Sequence, residues 1–372
     1  MHSEGSRVPL RVLAVSAYED INVGGAERYV FETIARLRHQ GFEVWHLHTG
    51  VANQGANLTI PWNFFSGGFH PAWPRQIEQL LKQRRPDVVY AHFTVPGLVD
   101  VVVRRAQACG IPVCLVYHSD VTGPEWYRRL LGIMYYRLVG LKTLRGASTL
   151  LVSSPEYFRA SPWLAQLPGK SIYFAPPGVD DVIGLGHRIP CDPYLLFVGK
   201  SGVSSKGFHL LYRAWLHLRT EFPDVGLVTV GSVPNRAYPG VRFLGHIDVR
   251  AKLADIYASA LVTVLPSMSS AESFGMVLAE ALVAGCPVVG ANIGGIPALI
   301  SPGENGYLFP PGKCSALTEM LTKAIQENEQ LRANLRKVDY AKRFGWDITA
   351  QQVVTSLLTT VYSYRSGHNI SL

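Results

Sequence analysis

The sequence predicts an α/β chain of two Rossmann-like domains, each a parallel sheet covered by helices on both faces. Three observations predict it. Short apolar, β-branched runs at 10–17, 42–48, 88–92, 113–117, 149–152 and 171–174 alternate with segments of helical spacing, and such alternation builds parallel sheets from βαβ units. Pro176-Pro177-Gly178 then breaks the pattern, as a linker does. Beyond it the same grammar restarts, with strands at 194–198, 225–230, 242–244, 261–265 and 287–289.

The totals agree with two domains. A chain of 372 residues carries about two, at roughly one per 100–200 residues. With 48% hydrophobic and 17% charged residues, it has enough apolar side chains for two cores and is not a disordered chain. It has no apolar run of 18 residues, so no transmembrane helix is expected, and the polar start at 1–7 is too short for a secretory signal. Five scattered cysteines with no C-x-x-C pair read as reduced, structural thiols of a cytoplasmic protein. The net charge of +8 is shared evenly: residues 1–185 hold 18 Lys+Arg against 14 Asp+Glu, and 186–372 hold 17 against 13. This excess suits phosphorylated ligands or anionic lipid. No nucleic-acid-binding motif accompanies it, so nucleic acid is not an expected partner.

In the first half, the strand at 10–17 leads through Gly24-Gly25 into a helix. Tyr29, Val30, Ile34 and Leu37 mark its buried face and Gly41 ends it. Two adjacent glycines at a helix start let backbone approach a phosphate, or simply make a tight turn. His46 and His48 lie on one face of the next strand as half of a metal site, but no third ligand is in view, so no metal is expected. His118 follows the strand at 113–117 directly, at the carboxyl end where open α/β sheets bind ligands. It is either a ligand-facing residue or a loop histidine paired locally. Residues 126–145 include Arg128, Arg129, Arg137, Lys142 and Arg145 with no acidic residue, interleaved with Trp126, Tyr127, Leu130, Leu131, Ile133, Met134, Tyr135, Tyr136 and Leu138. Such a segment suits an anionic membrane surface, or packs on the sheet with a solvated basic face.

Residues 181–193 lack periodicity and form the linker. Asp180-Asp181 is without the intervening residue of a D-x-D motif, so both read as plain linker acids. In the second half, Lys200 and Lys206 share a loop between strand and helix, and two such lysines can clamp a diphosphate. The loop lacks the G-x-x-x-x-G-K-[ST] pattern of a P-loop. Pro266 stops the strand at 261–265. After a loop holding Glu272, an apolar helix starts at Met276 and carries Glu280. A carboxylate in such a helix needs a partner, a ligand hydroxyl or a neighbouring side chain. Glu272 lies just before the free N–H groups of the helix start, which favour phosphate or sugar oxygens. Beyond Gly294-Gly295 the chain reads as mostly helical, and 346–364 is long enough to cross back to the first domain.

These residues together resemble the family 4 glycosyltransferases. The likeness runs from Gly24-Gly25-Ala26-Glu27 and His118 through Pro177-Gly178-Val179-Asp180, Gly199-Lys200 and Lys206-Gly207. It is strongest from Glu272-Ser273-Phe274-Gly275 to Glu280-Ala281, then Gly285-Cys286-Pro287, Gly294-Gly295 and Gly303-Glu304-Asn305-Gly306. The wording around His118 and Ser153-Ser154-Pro155-Glu156-Tyr157 is most similar to bacterial polysaccharide mannosyltransferases.

The resemblance implies a GT-B fold: an acceptor-binding domain at 1–180, a nucleotide-sugar-binding domain at 181–345 facing it across a cleft, and a C-terminal helix at 346–372 returning to the first. It implies a retaining hexosyltransferase in polysaccharide or glycoconjugate synthesis, metal-independent and without a cofactor. The donor is a nucleotide sugar, mannose from GDP-mannose first and a UDP-hexose second. The acceptor is a saccharide or lipid-linked saccharide. A GT-B sugar-nucleotide epimerase and a non-catalytic sugar-nucleotide-binding protein are the remaining readings. By this resemblance Glu272 holds the transferred sugar, with the backbone of Ser273, Phe274, Gly275 and Met276. Glu280 holds the ribose hydroxyls, Lys200 and Lys206 the diphosphate, Gly24 and Gly25 approach it, and His118 contacts the sugar. Lys200 stands where the family often has arginine; lysine keeps the charge but loses the bidentate fork. The expected location is cytoplasmic, peripheral on the inner membrane face through 126–145.

Overall fold

The computed structural model describes residues 9–16, 24–48, 63–64, 67–68, 70–94, 96–123, 125–234 and 236–367. The polar start at 1–7 and the end of the first turn segment, Tyr18 to Val23, lie outside the described residues. The chain divides into two compact units. One is Met1–Val152 with Trp163–Ala175 and Thr349–Leu372; the other is Ser153–Pro162 with Pro176–Ile348. Residues 153–162 therefore group with the second unit, although they precede the boundary expected at 180. The reason is local packing: the Ser153 hydroxyl donates to the carbonyl of Ser273 at 2.6 Å, and the helix that follows it packs on the turn at Ile296–Ala298.

The first unit is built on β1 (Arg11–Val15) and β2 (Glu43–Leu47). A two-residue antiparallel pair comes next, β3 (Asn63–Phe64) with β4 (Gly67–Gly68), which the sequence pattern does not announce. Then follow β5 (Val88–Phe93), β6 (Val113–Tyr117), β7 (Thr149–Val152) and β8 (Ser171–Phe174). The six longer strands are all parallel, in the order β2-β1-β5-β6-β7-β8. Val12 to Val15, Val88 to Ala91 and Val113 to Tyr117 are buried along their whole length, as strands covered on both faces must be.

Its helices are α1 (Gly25–His39), α2 (Trp73–Arg84), α3 (Leu98–Ala108), α4 (Trp126–Tyr135) and α5 (Leu141–Gly146), with a π-helical turn at Tyr136–Gly140 joining the last two. α1 buries Tyr29, Val30, Thr33, Ile34 and Leu37, and Gly41, at φ +88°, ends it. The basic segment is one continuous helical run in which Tyr136, Leu141 and Leu144 are buried, whereas most apolar side chains from Trp126 to Leu138 are not. Trp126 is 76% exposed, and Tyr127, Leu130, Leu131, Ile133, Met134 and Leu138 are all exposed.

The second unit repeats the plan with β9 (Tyr194–Val198), β10 (Gly226–Val230), β11 (Val241–Phe243), β12 (Val262–Leu265), β13 (Val288–Ala291) and β14 (Gly306–Phe309). All six are parallel, in the order β11-β10-β9-β12-β13-β14. Beyond Gly295 the chain is mostly helical, as expected, and β14 is the strand there that the sequence pattern does not announce. Four residues opening on glycine are too short a run to stand out in sequence, yet Gly306 fits there because a Cβ would meet the Val288 carbonyl at 1.9 Å. The helices are α6 (Pro155–Ala160), α7 (Phe208–Leu218), α8 (Arg250–Ser259), α9 (Met276–Val283), α10 (Cys314–Gln326), α11 (Asn328–Leu335) and α12 (Tyr340–Phe344). Phe197, Phe208, Trp215, Tyr257, Leu278, Ile296, Phe309 and Leu317 lie in the core between them and the sheet.

The last helix, α13 (Trp346–Gly367), belongs from Thr349 onward to the first unit. Ala350, Val353, Leu357 and Val361 are buried at helical spacing. Near its end the Thr360 hydroxyl pairs with Thr149 on β7, and Arg365 donates to Asp87 at 2.9 Å.

Strand order locates the ligand end of each sheet. In the first unit the order reverses between β1 and β5, and in the second between β9 and β12. Open parallel sheets bind ligands outside the carboxyl ends of the strands at such reversals.

Candidate active site

In the second unit the two strands at the reversal carry the loops that the sequence singles out. From β9 the chain runs through exposed Lys200 to a 3-10 turn at Ser204–Lys206. Gly207, at φ +68°, turns it into α7. A Cβ at this glycine would lie 1.9 Å from the Pro266 carbonyl, so only glycine lets the β9 and β12 loops close on each other. The backbone bond from Met268 N–H to Ser205 carbonyl, 2.8 Å, holds them together.

From β12 the chain runs through Pro266 to Glu272. The Lys206 ammonium donates to Glu272 Oε2 at 2.8 Å, and the Ser267 hydroxyl donates to the same oxygen at 3.0 Å. Ser205, Lys206, Ser267, Ser269, Ala271 and Glu272 line a small polar cavity of about 130 Å³. The pair is partly solvated, so it is worth no more than about 1 kcal/mol. A ligand phosphate can draw Lys206 away at little cost.

The backbone from Glu272 to Ser273 is gripped from behind. Gly295 N–H donates to the Glu272 carbonyl at 2.9 Å. A Cβ on Gly294 would meet that carbonyl at 2.2 Å, and one on Gly295 would meet the Ser273 carbonyl at 1.9 Å. Together with the Ser153 hydroxyl, these contacts fix the turn that delivers Gly275, at φ +90°, to the start of α9. The first N–H groups of α9 follow, beginning at Met276, and helix geometry leaves such groups without intrahelical acceptors.

Glu280, one turn on from Met276, is 8% exposed. Its partners are side chains: Arg250 Nη1 donates to Oε1 at 3.1 Å and the Tyr257 hydroxyl to Oε2 at 2.7 Å. Burial and the adjacent carboxylate push the Tyr257 phenol far up, so it stays a donor. Arg250 also reaches Asp180 at 3.3 Å, and Trp346 Nε1 donates to Asp180 at 3.2 Å. Asp180 is therefore not a plain linker acid; it anchors the guanidinium that neutralises Glu280. Sequence reading missed Arg250 and Tyr257, and the available signal is their seven-residue spacing, two turns along one helix face.

In the first unit, Gly24 is extended at φ 176° and Gly25 has open space where a Cβ would be. The fold itself does not require glycine at these two positions, unlike Gly207 and Gly295. His118 sits directly after β6, half-buried, with Nε2 3.0 Å from Nδ1 of the buried His92. Burial lowers the His118 pKa to about 4. His46 Nε2 lies 2.8 Å from the Ser16 hydroxyl, and burial lowers its pKa to about 3. Among the described residues, no three His, Cys, Asp or Glu side chains are grouped to hold a metal ion.

Comparison with known proteins bears on this arrangement. The family model described as Glycosyltransferase Family 4 matches residues 23–182, and that described as Glycosyl transferases group 1 matches 192–327. The chain belongs to the family 4 glycosyltransferases. It is an enzyme that transfers a hexosyl group, with the two-domain α/β fold of the GT-B class.

Among similar proteins of this family is a phosphatidyl-myo-inositol mannosyltransferase of Mycobacterium tuberculosis, 26% identical over 93% of this chain and 96% of its own length. Another is a D-inositol 3-phosphate glycosyltransferase of Arthrobacter, 28% identical over 79% of this chain and 76% of its own. Of solved structures, a sucrose-phosphate synthase from Thermosynechococcus elongatus matches with a TM-score of 0.72 at 19% identity, over 95% of this chain and 99% of its own. Anabaena HepE in complex with UDP matches with a TM-score of 0.68 at 18% identity, over 94% and 100%.

Proposed function

We propose that this glycosyltransferase takes a hexose from a nucleotide sugar, with GDP-mannose first among donors. It transfers the hexose with retention to a saccharide or lipid-linked acceptor. The observation that carries the reading is the second unit's sheet reversal: Lys206 after β9 and Glu272 after β12 meet there, a few residues before α9, the helix that carries Glu280. A diphosphate fits the lysines, ribose hydroxyls fit Glu280, and the sugar fits Glu272 with the backbone of Ser273 to Met276.

The leaving diphosphate gains negative charge as the glycosidic bond to it breaks. Lys206 and Lys200, with the positive end of α9, offset that charge, so the reaction in this reading needs no metal or cofactor. The donor phosphate takes the acceptor proton on the same face of the sugar. In the first unit, the backbone at Gly24 and Gly25, open beside Gly25, and the ring of His118 serve substrate groups. The mannosyltransferase relative supports mannose; UDP-hexose is second, and HepE was solved with UDP.

Transfer and donor hydrolysis by Lys206→Ala and Glu280→Ala test the assignment. Each is expected to lose about a hundredfold or more in kcat/KM, the scale of removing one donor to developing charge, with melting temperatures recorded to separate unfolding. Near-wild-type rates in both variants sink it.

A membrane surface as a second partner is favoured by one observation. The exposed apolar side chains of α4 lie among the exposed Arg128, Arg129 and Arg137, and such a face binds anionic lipid. Among the described residues no helix is long and apolar enough to cross a membrane. This reading puts the enzyme on a cytoplasmic membrane face, where a lipid-linked acceptor is found.

A further inference from the structure

His92 has no place in the account above, yet it is the residue His118 touches. It lies on β5, beside β6, with His92 paired to Val116 and Phe93 to Tyr117. The backbone N–H of His118 donates to the Phe93 carbonyl at 3.3 Å, which sets its main chain. Its ring then stacks on His92, centroids 5.3 Å apart and planes 25° from parallel. Tyr29, in the first turns of α1, meets the His118 ring edge-on at 5.2 Å and the His92 ring at 6.0 Å. Tyr90 meets His92 edge-on at 4.4 Å. The two imidazoles are thus held on several sides, and their one polar link is His92 Nδ1 to His118 Nε2 at 3.0 Å.

Burial lowers the pKa of both rings, so both are neutral near pH 7 and share one N–H across that link. Two arrangements satisfy it. In the first, His92 carries its proton on Nδ1 and donates; its Nε2 is then a bare lone pair, and His118 carries its proton on Nδ1. In the second, His118 donates from Nε2, and His92 Nε2 becomes an N–H. That atom is buried with no hydrogen-bond partner among the described residues. An N–H there would be a buried donor without an acceptor among the described residues. Buried N–H groups without acceptors are rarer than buried acceptors left under-used, which favours the first arrangement.

We propose that His92 is a positioning residue that fixes His118 with its proton on Nδ1. His118 then meets a ligand oxygen as a hydrogen-bond donor and does not act as a base. The consequence for substrate rests on the reading that His118 faces the sugar; the tautomer itself does not.

The test is long-range 1H–15N correlation NMR of the full chain labelled with 15N-histidine, near pH 7.5. The expected result is a protonated Nδ1 and an unprotonated Nε2 on His118, and the same on His92. In His92→Phe, which keeps the ring volume, the His118 signals should move to a mixture of tautomers. The kcat/KM of that variant should fall by about ten- to a hundredfold, as when an imidazole loses its orienting partner, with partial recovery in His92→Gln. A protonated Nε2 on His118, or unchanged His118 signals in His92→Phe, overturns the proposal. The expected tautomer together with wild-type turnover by His118→Ala supports the positioning and overturns the placement of His118 at the substrate.

Discussion

Glu272 and Glu280 are eight positions apart but sit in different surroundings. Glu272 shares one oxygen with a partly exposed lysine and a serine lining a small cavity, whereas Glu280 is buried between Arg250 and Tyr257. The first pairing is solvated enough to be exchanged for a ligand, whereas the second is a buried set of charge-assisted bonds that stays in place. What keeps both carboxylates in position is the glycine grip on the intervening backbone. Gly295→Ala should therefore cost about 1–3 kcal/mol of stability through overpacking and weaken donor binding as the 272–273 turn shifts. Denaturant unfolding and donor titration check this; an unchanged midpoint contradicts it. The acids and glycines were legible because they stand close together in sequence around a strand end and a helix start. Arg250 and Tyr257 were not, because they lie 30 and 23 residues before Glu280 and only the fold brings them there. Asp180 was misread for the same reason: its partners are Arg250 and Trp346.

At the scale of elements, most longer strands were legible from β-branched runs, because a strand covered on both faces is apolar throughout. β14 and the β3–β4 pair were not, since four and two residues with glycines carry no period. The basic helix was legible in composition, but whether its apolar side chains are packed or exposed depends on the fold. The structure buries Tyr136, Leu141 and Leu144 but leaves Trp126, Tyr127, Leu130, Leu131, Ile133, Met134 and Leu138 exposed, and membrane binding follows as a prediction for this helix. In co-sedimentation, phosphatidylcholine vesicles containing phosphatidylglycerol should retain the protein and pure phosphatidylcholine should not. Binding should weaken with salt and fall in a Trp126→Ser, Leu130→Ser double variant. Equal recovery on both vesicle types, or none on either, contradicts it.

At the scale of the whole molecule, the duplicated sheet was legible from the restart of strand, loop and helix after Pro176, and the family likeness from motifs spread over both halves. Strand order was not, yet it is what puts Lys206 and Glu272 on neighbouring loops and His118 beside His92. The grouping of residues 153–162 with the second unit was also hidden, since it depends on Ser153 meeting Ser273. The central claim is that the second unit holds a nucleotide sugar between Lys206, Glu272 and Glu280. Thermal unfolding of the full chain against a panel of nucleotide sugars tests it most directly. One donor, at about 100 times its Kd, should add roughly 2.7 kcal/mol of stability, with GDP-mannose first and a UDP-hexose second. Lys206→Ala should lose most of that gain. No stabilisation by any nucleotide sugar, or an equal gain in Lys206→Ala, would contradict it.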